Sequence, residues 1–142
     1  MQFPLSQFVE PTYAALRIVA GLLFAFHGAQ KLFGAFDGAA RPIASQMGLA
    51  GMVEFGGGLL LMLGMFTALV AFICSGEMAV AYLIAHAPRG GWPIQNDGEL
   101  AVLFCFLFLF LAARGSGIWS LDGLLRRRRP MQMSHAEGTS RA

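Results

Sequence analysis

Four long apolar stretches separated by short polar ones set the pattern of this chain. The first, PTYAALRIVAGLLFAFHGAQKLFG from Pro11 to Gly34, is rich in helix formers, and Pro11 suits a first helical turn. A second runs from Met47 to Met65 and a third from Phe66 to Ala87, with almost no chain between them. The fourth, Glu99 to Arg114, contains the nearly uniform LAVLFCFLFLFLAA. A bilayer core about 30 Å thick takes about 20 apolar residues per helix, so each stretch is predicted to be a span.

The intervals between them read as loops. Residues 35–46 contain Gly38 and Pro42, and PRGGWPIQNDGE after Ala87 predicts an ordered or re-entrant loop near the interface. The short turn between the second and third spans makes them antiparallel neighbours. Gly115 and Gly117 end the fourth, and residues 118–125 are expected to lie along the interface. Gly21, Ala25 and Ala29 form a small-residue face on the first span, and Gly56 to Gly58 suit close packing in lipid.

The expected fold is therefore an all-α integral membrane protein, an antiparallel bundle of four transmembrane helices (spans 11–34, 47–65, 66–87 and 99–114). Residues 1–125 are expected to form one membrane domain and 126–142 a basic, disordered tail. Arg114 and the run Arg126, Arg127, Arg128 and Arg129 follow the fourth span, whereas the loop between the first two spans has Arg41 and the later one Arg89. By the positive-inside rule both termini are cytoplasmic.

Composition agrees with this frame. The 142 residues are 56% hydrophobic and 13% charged, with a mean hydropathy of +0.61. The net charge of +2 comes from the arginine run, which argues for anionic lipid and against nucleic acid. Trp92 and Trp119 are expected as interfacial anchors, together with that run. Cys74 and Cys105 fall inside spans without CxxC spacing and read as buried thiols. The N-terminal stretch lacks a basic n-region and carries Arg17, so it is not expected to be a cleaved signal.

Ionisable residues inside the spans are the candidate chemistry, because a charge at bilayer depth costs roughly 2.5–3.5 kcal/mol on insertion scales. A rise of about 1.5 Å per residue puts His27 and Glu54 at similar depth, Glu77 nearer the midplane, and Lys31, His86 and Glu99 near the outer helix ends. His27 and Lys31 share a helix face, and Lys31 is placed to pair with Glu54 or Glu99. Arg17 stands apart in the inner half, where it either snorkels to the surface or meets Glu77. The expected catalytic set is His27, Lys31, Glu54 and Glu99; the expected substrate-binding set is Arg17, Glu77, His86 and Asn96. No metal is expected, since the ExxH spacing of a di-iron bundle is missing and Lys31 would repel a cation.

Four segments, RIVAGLLFAFHGAQKLFG, EFGGGLLLMLGMFTALVAF, NDGELAVLF and GSGIWSLD, resemble the DoxX family of small four-helix inner-membrane proteins over about residues 13–123. The resemblance implies kinship with the small subunit of a thiosulfate:quinone oxidoreductase and with membrane partners of thiol-oxidative-stress proteins. The motif positions it carries over are Arg17, His27, Gly28, Lys31, Glu54, Gly57, Asn96, Glu99, Trp119 and Asp122.

The leading expectation is a quinone-linked or other redox membrane subunit with a polar pocket in the outer half of the bilayer. His27 and Glu54 would handle protons, Lys31 would stabilise an oxyanion, and Asn96 with Glu99 would close the site. The cofactor is left open, with a quinone as the candidate, and a redox enzyme or a second copy of the chain is the candidate protein partner. Two alternatives stay open: a non-enzymatic anchor for a soluble redox enzyme, and a small-solute transporter.

Overall fold

In the computed structural model, which describes residues 4–127, every regular element is helical. Helix α1 spans Val9–Phe33, α2 Gln46–Leu63, α3 Thr67–Ala81, α4 Glu99–Arg114 and α5 Leu121–Arg127. A 3-10 turn, Pro4–Phe8, leads into α1, and α3 continues through a π-helical turn, Tyr82–His86, and a 3-10 turn, Ala87–Arg89. The expected tail starts at Arg126, and Arg126 and Arg127 are the last residues of α5; the rest of it, with the interfacial roles of Arg128 and Arg129, lies outside the described residues.

Three continuous helical stretches, Leu5–Phe33, Gln46–Leu63 and Thr67–Arg89, are long and apolar enough to cross a membrane. The 16 residues of α4 cover about 24 Å at 1.5 Å per residue, and nearly all are apolar. Local chemistry sets the ends. Gly34 at φ +67° closes α1, Gly64 at φ +66° closes α2, and the Ser45 side chain accepts the Gly48 N–H at 3.1 Å to start α2.

The molecule is built as two helix pairs. α1 lies backbone to backbone on α2: a Cβ on Gly28 would stand 2.2 Å from the Phe55 nitrogen, and one on Gly58 would stand 2.5 Å from the Ala25 nitrogen. The small-residue face expected of α1 thus includes Gly28 as well as Gly21 and Ala25. On the other side α3 rests on α4, where the Ser75 hydroxyl donates to the Cys105 carbonyl at 2.8 Å.

Aromatic side chains join the pairs. Phe24 of α1 meets Phe104 and Phe108 of α4 at ring-centroid distances of 5.5 and 4.7 Å, and Tyr13 meets Phe110 edge-on at 6.0 Å. The fourth stretch is therefore not simply lipid-facing, since Ala101, Phe104, Phe108 and Leu111 are buried against its neighbours.

One end of the bundle is tied firmly. Arg17 is 0% exposed and donates to the carbonyls of Leu61 (2.6 Å), Met62 (3.0 Å), Ile118 (3.3 Å) and Trp119 (2.8 Å). It neither snorkels nor reaches Glu77. The Asp122 carboxylate accepts the N–H groups of Phe66 and Thr67, each at 2.9 Å, and the Asp122 N–H donates to the Gly64 carbonyl at 3.0 Å. The 118–125 segment expected on the interface is thus bonded to the α2–α3 turn, while the Trp119 ring remains exposed.

Candidate functional site

Away from that tied end, α2 and α3 part. They meet where a Cβ on Gly57 would lie 2.5 Å from the Cys74 sulfur, and beyond this contact a cavity of about 770 Å3 opens among α1, α2, α3 and α4. Its walls are mainly apolar, with Phe24, Val53, Ile73, Val80 and Phe104 among them. The volume falls within the range of roughly 300–1,000 Å3 usual for small-molecule sites.

Five residues selected from the sequence line this cavity: His27 and Lys31 from α1, Glu54 from α2, Glu77 from α3 and His86 from the π-helical turn. Lys31 is paired with Glu54 rather than Glu99. Glu54 is 2% exposed, and while one carboxylate oxygen receives the ammonium, its Oε2 is buried without a partner. Glu77 Oε2 is likewise buried and unpartnered. The polar part of the cavity lining thus holds one ammonium already engaged by a carboxylate and two carboxyl oxygens without a hydrogen-bond partner.

The imidazoles are held by packing. His27 stands edge-on to the Phe104 ring at 6.3 Å, and His86 stacks on Tyr82 at 6.3 Å. His86 Nδ1 lies 3.0 Å from the Asn96 carbonyl and 3.3 Å from the Arg89 guanidinium. One nitrogen cannot serve both, because a carbonyl needs a donor and a guanidinium an acceptor; the tautomer that makes the shorter contact, with its proton on Nδ1, is the one in which Nε2 can accept.

Asn96 is buried and works inside its own loop. Its side chain accepts the Gly98 N–H at 2.9 Å and donates to the Gly90 carbonyl at 2.9 Å and the Tyr82 hydroxyl at 3.4 Å. It shapes the 90–98 loop that carries the carbonyl facing His86. Arg17 lies at the tied end, outside the cavity lining, and Glu99 is exposed in the first turn of α4, also outside the lining. Trp92 and Trp119 are exposed, as are Arg126 and Arg127 at the end of α5.

Sequence reading passed over Gln46, Arg89 and Asp97, which line the loop end of the cavity. They are ordinary loop and helix-end residues in the sequence, and only the splaying of α2 from α3 brings them to one opening. Among the described residues, no three of His, Cys, Asp and Glu gather closely enough to hold a metal ion.

The DoxX family model matches residues 12–87. An uncharacterized protein of Haemophilus influenzae is 41% identical over 116 residues, which cover 77% of this chain and 87% of that one. This chain belongs to the DoxX family. No solved structure matches it. As a DoxX-family membrane protein, it carries most of its cavity residues inside the matched segment, from Phe24 through His86. The arginine clamp on Ile118 and Trp119 and the Asp122 cap bind the matched segment to residues beyond it.

Proposed function

We propose that the protein is a redox membrane subunit whose cavity receives a lipophilic ring compound of the quinone class. The observation that carries this reading is the cavity itself: apolar and aromatic over most of its wall, with Lys31, Glu54, Glu77, His27 and His86 gathered in its lining. Such a division matches a molecule with an apolar body and a few hydrogen-bonding oxygens. His86 Nε2 and the free oxygens of Glu54 and Glu77 supply acceptors for a hydroxyl. The Lys31 ammonium, though engaged by Glu54, remains a donor of three N–H groups and can serve a carbonyl oxygen beside it. Imidazole and carboxylate in one cavity also provide groups that can take up and release protons as the ring changes oxidation state.

In this reading residues 1–125 are one membrane domain, α4 is the fourth span of an antiparallel bundle, and both termini face the cytoplasm of a bacterium. The cavity then lies in the outer half of the inner membrane. Electrons reach it from an enzyme partner.

The test is native mass spectrometry of the protein released gently from its own membrane. A bound quinone, lost when His27 and Glu54 are both changed to Gln, is the expected result. A stable protein partner with no small molecule would shift the assignment to an anchoring subunit. Quinone reduction that survives the double substitution in the purified complex would remove the proposed proton role.

A further inference from the structure

The cavity has two kinds of rim. At the loop end its exposed lining residues include the polar Gln46, Arg89 and Asp97, beside the apolar Leu100 at the start of α4. Along its side they are apolar and lie within the helices long enough to span a bilayer: Met47 and Leu49 on α2, Ile73 and Val80 on α3, and Ile84 in the π-helical turn. A side chain that lines a cavity and is also exposed marks its mouth. This mouth therefore opens sideways, between α2 and α3, into the hydrocarbon layer.

Gly76 sits in the middle of that side opening. It lines the cavity, is exposed, and a Cβ placed on it would meet no heavy atom within 4 Å. It differs in this from Gly28 and Gly58, whose missing side chains admit a neighbouring helix. The space at Gly76 is not filled by protein. On the same helix Glu77 follows directly, with its buried, unpartnered oxygen in the cavity.

We infer that Gly76 is the sill of a lateral portal, through which the apolar tail of a membrane-dissolved ligand passes while its polar head rests among Lys31, Glu54 and Glu77. This rests on the cavity's proposed use as a quinone-class site and adds the route and the ligand's shape: a ring with a single long apolar chain, taken from the lipid. The loop-end rim offers a separate aqueous path to the same head group, through which a tail-less ring can enter.

The experiment compares decylubiquinone with its tail-less parent ring, titrated by calorimetry against the protein in nanodiscs. The variants are Gly76→Leu, Val80→Trp at the same mouth, and Gly56→Leu as a control. Gly56 also has open space around an added Cβ but does not line the cavity. Forcing a side chain into an occupied passage costs enough to weaken binding by about tenfold or more. The expected result is that loss for decylubiquinone in Gly76→Leu, with the tail-less ring bound as in the wild type and neither probe affected by Gly56→Leu. Should Gly76→Leu fail to fold, Val80→Trp must give the same split between probes. Unchanged decylubiquinone binding in both mouth variants would overturn the portal, as would equal loss of both probes. If the wild type bound neither probe, the quinone-class assignment itself would fall, and the portal with it.

Discussion

Arg17 meets four backbone carbonyls and no carboxylate, which makes it a structural clamp of unusual reach. Leu61 and Met62 stand at the C-terminal end of α2, where the helix dipole favours a positive charge; the Leu61 carbonyl also accepts the Gly64 N–H at 3.1 Å. Replacing Arg17 with Met removes the charge and takes this donor from the carbonyls of Met62, Ile118 and Trp119. The expected loss is about 3 kcal/mol or more, and Lys, with a point charge in place of a planar fork, should restore only part of it. Thermal unfolding in detergent measures both. Asp122 is the complementary case, a carboxylate at the N-terminal end of α3. Burial alone would raise its pKa, but the N–H groups of Thr67 and Phe66 and the nearby Arg126 hold it below its ordinary value of 3.8. Its contribution is therefore complete above the carboxylate range and disappears as pH falls through the lowered folded value. Asp122→Asn should cost about 0.5–2 kcal/mol at neutral pH, and the gap between variant and wild type should close in acid. Arg17 was legible in the sequence as a buried charge, but its partners were not, because backbone carbonyls leave no mark in a sequence.

Among the elements, the α1–α2 seam has the least tolerance. Gly28→Ala would place a methyl 2.2 Å from the Phe55 nitrogen, so the helices must part or shift. The expected outcome is loss of the folded protein, or a fall in stability of about 3 kcal/mol or more, read by size-exclusion profile and thermal unfolding. Gly56→Ala, with no atom near the added Cβ, should be neutral or stabilising by up to about 1 kcal/mol. Helix existence and most helix ends were readable from hydropathy, Gly and Pro. The depth estimate that matched His27 with Glu54 also followed from helix rise alone. Two things escaped it. A depth says nothing of azimuth, so Glu99, placed near the cavity by depth, is turned outward in the first turn of α4. The π-helical turn at Tyr82–His86 was also hidden, since YLIAH has the same apolar character as the regular helix before it.

For the whole molecule, the two-pair construction places the rigid bonds at one end and the cavity toward the other. The Arg17 clamp, the Asp122 cap and the Tyr13 hydroxyl bond to the Gly115 carbonyl all gather around the α2–α3 turn. The proposed four-span orientation is checked with single cysteines in a variant lacking Cys74 and Cys105. Ser45→Cys, in the loop before α2, should react with a membrane-impermeant maleimide added to intact spheroplasts. A cysteine at Arg127 should react only after the membrane is opened. The reverse pattern would turn the molecule over and put the cavity in the inner half. The Lys and Arg bias supplies the expectation that this labelling tests, but the splay of α2 from α3 left no such mark in the sequence, because it turns on side-chain packing between the helices, as at Gly57 against Cys74.

The π-helical turn has an effect beyond the five residues it occupies. A π turn is an α-helix that has accommodated one extra residue without breaking, and everything after it is rotated by about 100° relative to the uninterrupted helix. His86 is the last residue of that turn, and Arg89 follows three positions later. Both therefore owe their place in the cavity lining to a widened turn that takes up one residue. The same sequence wound as regular α-helix through Tyr82–His86 would leave every side chain of the polar cluster chemically intact, yet swing the imidazole and the guanidinium by about 100° around the axis; removing one residue between Tyr82 and Ala85 would instead let the turn close to regular helix with both still facing the cavity. In this part of the chain, the winding of the backbone rather than residue identity sets what the cavity contains.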